Sequence, residues 1–122
     1  MTPYERLHAW QASHQLVKAI YQATQRWPKS ELYGLVSQSR RAAFSIPMNI
    51  AEGSAKRGSR EFRRFLDISL GSMSELSYCL RLARDLEYLT EAEWEEIETQ
   101  RNLAGKLVWR LYQAISKARP TT

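Results

Sequence analysis

Cysteine and long apolar runs are the two most informative shortages in this sequence. The 122 residues include one cysteine, Cys79, so no internal disulfide can form and nothing points to an oxidising compartment. No apolar run approaches the roughly 20 residues that a membrane-spanning helix needs. The first residues also lack the basic and apolar regions of a signal peptide. These absences predict a cytoplasmic protein that does not enter a membrane.

Strand-like alternation, low-complexity tracts and internal repeats are missing as well. The composition is 43% hydrophobic and 25% charged, which is typical of a globular protein and not of a disordered one. A chain of 122 residues has the length of one ordinary domain, so we expect a single domain over residues 1–122. Its net charge of +5 makes an anionic partner plausible, with nucleic acid the first candidate.

Helical signals fill the first half of the chain. A capping box at Thr2-Pro3-Tyr4-Glu5 predicts a first helix that ends near Gln25, before Trp27-Pro28. A second helix is predicted from a cap at Ser30 to Gly53, with "SAKRGS" as the following turn. The apolar stripe predicted for the first helix consists of Leu7, Trp10, Val17 and Tyr21, with Leu16, Ile20 and Thr24 beside it.

The second half repeats the pattern. A third helix is predicted to start near Ser59, and a capping box at Thr90-Glu91-Ala92-Glu93 opens a fourth that runs to Pro120. Helices of roughly 20 to 30 residues joined by short turns become antiparallel neighbours. The sequence therefore predicts an all-α protein, an up-down-up-down antiparallel four-helix bundle.

Pro47 lies inside the second predicted helix, where a proline removes one backbone hydrogen bond and costs about 3 kcal/mol. Ala43, Ile46 and Ile50 nevertheless keep helical spacing across it. We therefore expect a helix that is kinked at Pro47 and continues to Glu52. A binding loop at Pro47 is the less favoured alternative.

Several stretches resemble one known family. They include "LHAW" (7–10), "SQSRRAAFSIPMNIAEG" (37–53), "EFRRFLDISLGSMSEL" (61–76) and "LARDLEYL" (82–89). They are similar to the four-helix bundle proteins encoded in 23S ribosomal RNA intervening sequences. The same superfamily includes the accessory variability determinant proteins of diversity-generating retroelements. The resemblance covers almost the whole chain and is weakest in the fourth helix.

This resemblance implies a cytoplasmic four-helix bundle that assembles as a ring-like homopentamer and has no known catalytic activity. The retroelement branch further implies binding to a reverse transcriptase and to RNA. The single sequence does not distinguish between the branches.

Charge is unevenly distributed along the chain. Residues 85–98 contain seven acidic residues and no lysine or arginine, whereas "KRGSREFRR" (56–64) contains five basic residues. The predicted topology places these stretches at opposite ends of the bundle. We predict that nucleic-acid phosphates, of RNA or DNA, bind at Lys56, Arg57, Arg60, Arg63, Arg64, Lys117 and Arg119. The alternative is that these residues have no binding role. In that case the basic turn is simply solvated, and the charges of the fourth helix only complement its dipole.

Catalytic signals are weak. His8 and His14 lie about 120° apart around one helix, given 3.6 residues per turn, so they do not form a metal-binding pair. Cys79 has the surroundings of a packed core thiol. There is also no strand to support a glycine-rich phosphate loop. We therefore predict no catalytic site, no metal, no cofactor and no enzymatic activity.

A polar pair is predicted between the second and third helices. If these helices are antiparallel, Glu75 lies opposite Arg41, and we expect an inter-helix ion pair from Glu75 to Arg41 or Arg40. A buried pair of this kind is worth about 3–5 kcal/mol when one partner is removed. The helices are expected to approach closely at the small residues Ala42, Ser45, Gly71 and Ser72.

Large aromatic residues lie off the predicted core stripes. Trp109 and Tyr112 form a second line on the fourth helix, and Trp10 and Tyr21 widen the apolar face of the first. Such residues are enriched at subunit interfaces, so these four predict the contact surface of a homo-oligomer. The alternative for Trp109 is packing over the edge of its own bundle.

Two functions of different classes remain. The first is an RNA-binding accessory protein, a basic pentameric ring that in one branch lies beside a reverse transcriptase. The second is a protein–protein interaction scaffold whose charge polarity serves assembly and solubility.

Overall fold

Four α-helices account for most of the residues that the computed structural model describes, which are residues 2–117. They are α1 (His8–Thr24), α2 (Ser37–Ser54), α3 (Ser59–Asp85) and α4 (Glu91–Lys117). Each helix packs against two neighbours, α1 and α3 against both α2 and α4, and short turns reverse the chain between them. The predicted all-α bundle is confirmed, with no β-strand in the described range. None of these helices is long and apolar enough to cross a membrane.

The core lies along the bundle axis and consists of aliphatic side chains from all four helices. Those that are fully buried are Leu16, Ile20, Ile46, Ile50, Leu66, Leu76, Leu80 and Val108. On α1, however, the buried positions also include the small residues Ala9, Ser13 and Ala23, so the centre of the predicted stripe was wrong. Small side chains let the helices approach, whereas the bulky Trp10 and Tyr21 remain at the edge.

The predicted start of the first helix was also wrong by one turn. The capping box forms, since the Thr2 N–H donates to Glu5 Oε1 at 3.1 Å. It caps only a 3₁₀ turn, Pro3–Arg6, after which Leu7 is extended (φ −76°, ψ 125°) and α1 begins at His8. The early turn thus packs at an angle to α1 and reaches α2.

The second helix starts through two irregular turns. A 3₁₀ turn, Lys29–Glu31, leads into a π-helical turn, Leu32–Val36, in which Gly34 is non-helical (φ −113°, ψ −110°). The carboxylate of Glu31 accepts the Leu35 N–H at 3.2 Å. The cap is therefore Glu31 and not Ser30.

Helix α2 continues through Pro47 to Ser54, as predicted, while the bend itself stays a prediction. Polar side chains cluster around the proline. Asn49 donates to the Ser45 carbonyl at 2.7 Å, and from α3 the Ser69 hydroxyl donates to the Ile46 carbonyl at 2.9 Å. These bonds bring additional donors to backbone oxygens beside the proline, and the bond from Ser69 connects α2 to α3.

The close approach of α2 and α3 depends on a different glycine from the one predicted. A Cβ on Gly71 would meet no atom within 4 Å, whereas a Cβ on Gly53 would lie 2.8 Å from Phe65 Cβ. Gly71 is exposed and Gly53 is buried. Gly53 is therefore the residue whose missing side chain lets the helices meet.

The capping box of α4 forms as predicted. The Thr90 N–H donates to Glu93 Oε1 at 2.9 Å, and the Glu93 N–H donates to Thr90 Oγ1 at 3.1 Å. Glu93 also pairs with Arg26 at the end of α1. The Thr90 N–H bond, followed by the contact with Arg26, holds the pKa of Glu93 below the usual value of 4.5.

These contacts predict an acid-sensitive contribution to stability. Because the pKa of Glu93 is lower in the folded state, its contribution is present above pH 4.5 and is lost as the pH falls through the folded-state pKa. We expect Glu93→Gln to reduce the dependence of the unfolding free energy on pH below pH 5. Urea unfolding at several pH values measures this dependence, with Glu95→Gln as control. Equal slopes for both variants would contradict the prediction.

Candidate nucleic-acid interface

One end of the bundle collects positive charge because four chain segments meet there. Helix α2 ends and α3 begins at this end, and the 3₁₀ turn before α1 packs on α2. Leu107 and Leu111 of α4 line a hollow with Arg6 and His8, which places the last turns of α4 at the same end. We name as the basic pole the residues Lys56, Arg57, Arg60, Arg63, Arg64 and Lys117.

The turn between α2 and α3 presents the centre of the basic pole. Gly58 has a positive φ of 85°, a conformation that glycine adopts without steric cost, and the chain reverses there. Lys56 and Arg57 are exposed on this turn, and Arg60 is exposed in the first turn of α3. Three cations thus lie within a short, outward-facing segment.

Most charges of the basic pole have no acidic partner. Among residues 2–117, its one ion pair joins Arg64 to Glu61 at 3.3 Å. Lys56 and Arg64 lie over the ring of Phe65, at 5.5 and 4.6 Å from its centroid. Arg63 is partly buried and Lys117 is exposed. Arg119 lies outside the described residues.

The opposite end carries far less free charge than its sequence suggests, because arginines neutralise its carboxylates. The pairs are Arg26–Glu93, Arg84–Glu91 (2.7 Å), Arg81–Asp85 (3.3 Å) and Arg101–Glu98 (2.8 Å). Arg26 reaches this cluster from α1, which sequence order alone does not reveal. The basic pole therefore produces the stronger electrostatic potential, because most of its cations have no carboxylate partner among the described residues.

The arrangement suits contacts to a polyanion. Lysine and arginine on a turn and a helix can reach phosphate oxygens, and such contacts are largely independent of base sequence. In the described part of the chain there is no group of three or more His, Cys, Asp or Glu that could hold a metal. Cys79 is buried, and burial raises the pKa of its thiol.

The predicted polar pair lies at the surface. Arg41 Nη2 is 3.7 Å from Glu75 Oε2, and both side chains are more than half exposed. An exposed pair contributes about 0–1 kcal/mol, well below the value for a buried pair. Arg40 instead donates to Thr24 Oγ1 at 2.9 Å and covers the Tyr21 ring.

The four aromatic residues predicted at an oligomer contact form two separate groups. Trp109 is 49% exposed and stacks on Tyr112, with 5.5 Å between ring centroids. Trp10 stacks on His14 at 4.8 Å. Trp10 and Tyr21 line a groove between α1 and α2.

Phe44 and Met48 complete this groove, and the sequence reasoning missed them. They are 49% and 44% exposed and lie beside Pro47 on α2. The signal was available, because residues 44 and 48 are four apart and off the core stripe. That is the same pattern that singled out Trp109 on α4.

The fold and the cationic end define a class, the all-α four-helix bundles with one basic pole. A family model described as 23S rRNA-intervening sequence protein matches residues 5–110. The chain belongs to this family, as its motifs predicted.

A solved structure shares the fold. It is the crystal structure of a protein with unknown function from the S23 ribosomal protein family of Bacteroides thetaiotaomicron VPI-5482. The TM-score is 0.79 at 23% sequence identity, and the match covers 86% of this chain and 95% of that chain. No curated protein matches the sequence.

Proposed function

We propose that this protein is a non-enzymatic, cationic homo-oligomer that binds RNA through phosphate contacts at its basic pole. The observation that carries the proposal is the contrast between the two ends of the bundle. Arginines neutralise carboxylates at one end, whereas at the other only Arg64 has an ion-pair partner among residues 2–117. Free cations on one surface attract a polyanion and release its counterions.

Oligomerisation would strengthen this field. In a cyclic oligomer every copy presents the same end on the same side, so the basic poles would form one cationic surface. The family resemblance implies five copies. A reverse transcriptase is a further partner in the retroelement branch of that resemblance, and a neighbouring reverse-transcriptase gene would favour that branch.

The interface favours phosphate over base recognition. Lys56, Arg57 and Arg60 project from a turn and a helix end, without the sheet-borne aromatic platform on which many RNA readers stack bases. Binding should therefore depend weakly on sequence and steeply on salt.

Titration of a labelled single-stranded RNA at two salt concentrations tests the proposal. For five or six phosphate contacts, we expect the affinity to fall at least about 100-fold between 50 and 200 mM salt. Fluorescence anisotropy of the labelled RNA measures the affinity. The same dye attached to an uncharged carrier is the control. Absence of binding at 50 mM salt would end the proposal.

A protein–protein scaffold without a nucleic-acid role is the second candidate. It is favoured by the half-exposed aromatic and apolar residues of α1, α2 and α4, which include Tyr21, Phe44 and Trp109. An oligomer that forms normally and binds neither RNA nor DNA at low salt is the outcome that this candidate predicts.

A further inference from the structure

Two apolar surfaces lie on opposite sides of the bundle. The α1–α2 groove is lined mainly by Trp10, Tyr21, Phe44, Pro47 and Met48. The α4 ridge consists of the stacked Trp109 and Tyr112. Because α1 pairs with α2 and α3 pairs with α4, a groove between the first two helices faces away from the last two. The α4 ridge lies toward α3, since a Cβ added to Gly105, one turn before Trp109, would lie 3.7 Å from Met73 Cγ.

The ridge also overlaps in height with the Tyr4–Trp10 end of the groove. Leu107 lines a hollow with Trp10 and His14, and Leu111 lines another with Arg6 and Ala9. Trp109 is between these two leucines in the sequence, so it lies at the level of the first turns of α1. Tyr4 and Trp10, which meet edge to face at 5.1 Å, mark the same level in the α1–α2 groove.

We propose that the α4 ridge of one copy docks in the α1–α2 groove of the next copy. This inference rests on the oligomeric part of the proposed function and specifies its contact. The groove has aromatic walls, Lys18 at its rim and no carboxylate among its lining residues. A stacked indole and phenol pair fits such a site, because apolar area is buried and a lysine attracts the π face of the rings.

The dimensions of the bundle suit a second copy of the chain. A helix of 27 residues, such as α3 or α4, is about 40 Å long, and two adjacent helices are about 20 Å wide. A face of this size matches the area of about 800 Å² that each partner contributes to a specific interface. Since the groove and the ridge are different surfaces, the contact is heterologous; it gives a ring when the rotation between successive copies closes and an open filament when it does not. In a closed ring every basic pole lies on the same side.

Mixing two defective variants tests the contact. Phe44→Glu blocks the groove but keeps the ridge, and Trp109→Glu removes the ridge but keeps the groove. Each variant alone should sediment as a monomer. An equimolar mixture should form a one-to-one dimer and nothing larger, since each dimer has one usable contact and two blocked surfaces. Sedimentation velocity at micromolar concentration measures the species, and far-ultraviolet circular dichroism verifies folding.

Leu103→Glu is the matched control, because Leu103 is also about half exposed on α4 and lines neither surface. It should keep the wild-type oligomer. A monomeric wild type, an oligomeric Trp109→Glu, or a mixture that stays monomeric would overturn the proposal. None of these measurements involves RNA, so loss of the contact and loss of RNA binding are separate results.

Cross-linking gives an independent test that keeps the large side chains of both surfaces. The double variant Ala51→Cys, in the groove, with Gln113→Cys, exposed one turn after Trp109, should yield a ladder of covalent multimers under mild oxidation, and the two single variants should not. A strong dimer band from Gln113→Cys alone would indicate a two-fold contact between ridges and would overturn the proposal. Cys79 is buried and provides the background level.

Discussion

Gly53→Ala is expected to lower the free energy of unfolding by about 1–3 kcal/mol, although alanine is the better helix former. The added methyl group would lie 2.8 Å from Phe65 Cβ and 3.0 Å from Phe62 Cδ1. The first of these atoms is attached directly to the backbone of α3 and cannot rotate away. The helices would have to move apart, which would strain the Ser69–Ile46 hydrogen bond further along the same contact.

Gly71→Ala is the matched control on the other helix. A Cβ at this exposed position meets nothing within 4 Å, so the substitution should stabilise the protein by about 0.4–1 kcal/mol through helix propensity and the unfolded chain. Urea unfolding measures the free energy of unfolding, which should be lower than in the wild type for Gly53→Ala and higher for Gly71→Ala. A Gly53→Ala variant that is as stable as Gly71→Ala would show that α2 and α3 do not meet closely at Gly53.

The number and order of the helices were predictable because their signals are local. Capping at Thr90 and Glu93 acts within one turn, and the core spacing of Ile46 and Ile50 acts within a few turns. The irregular entry into α2 was not predictable from the same rules. Its geometry depends on Gly34 leaving the helical region and on a contact between Glu31 and Tyr88, 2.9 Å apart and 57 residues distant in the chain.

The composition of the candidate site was only partly predictable, because the net charge of a surface depends on which side chains form ion pairs there. Sequence order placed the basic and acidic stretches at opposite ends once the topology was known. It could not show that Arg26 returns from α1 to pair with Glu93, which weakens the acidic end. It likewise could not join Phe44 of α2 to Trp10 of α1, because a groove between helices requires their relative rotation.

Removing three charges from the basic pole is expected to have the largest effect on RNA binding. Lys56, Arg57 and Arg60 are exposed and are without acidic partners among residues 2–117. If each contacts one phosphate of a single-stranded RNA, the slope of log affinity against log salt should decrease by about 2 when all three become Gln. The affinity at 0.1 M salt should then fall about 100-fold.

The decisive comparison is a second triple variant of equal net charge. Lys29→Gln, Arg81→Gln and Lys106→Gln also remove three positive charges from the formal +5, but none belongs to the basic pole. If binding depends on where the charges lie, this control keeps nearly the wild-type slope of log affinity against log salt, whereas the slope of the basic-pole variant decreases. Equal losses in both variants would mean that RNA responds to net charge alone, and the basic pole would then not be the binding surface. Sedimentation checks that both variants keep the assembly state of the wild type, as expected because neither set of substitutions lies in the α1–α2 groove or on the α4 ridge. A difference in affinity at constant assembly therefore measures the phosphate contacts themselves.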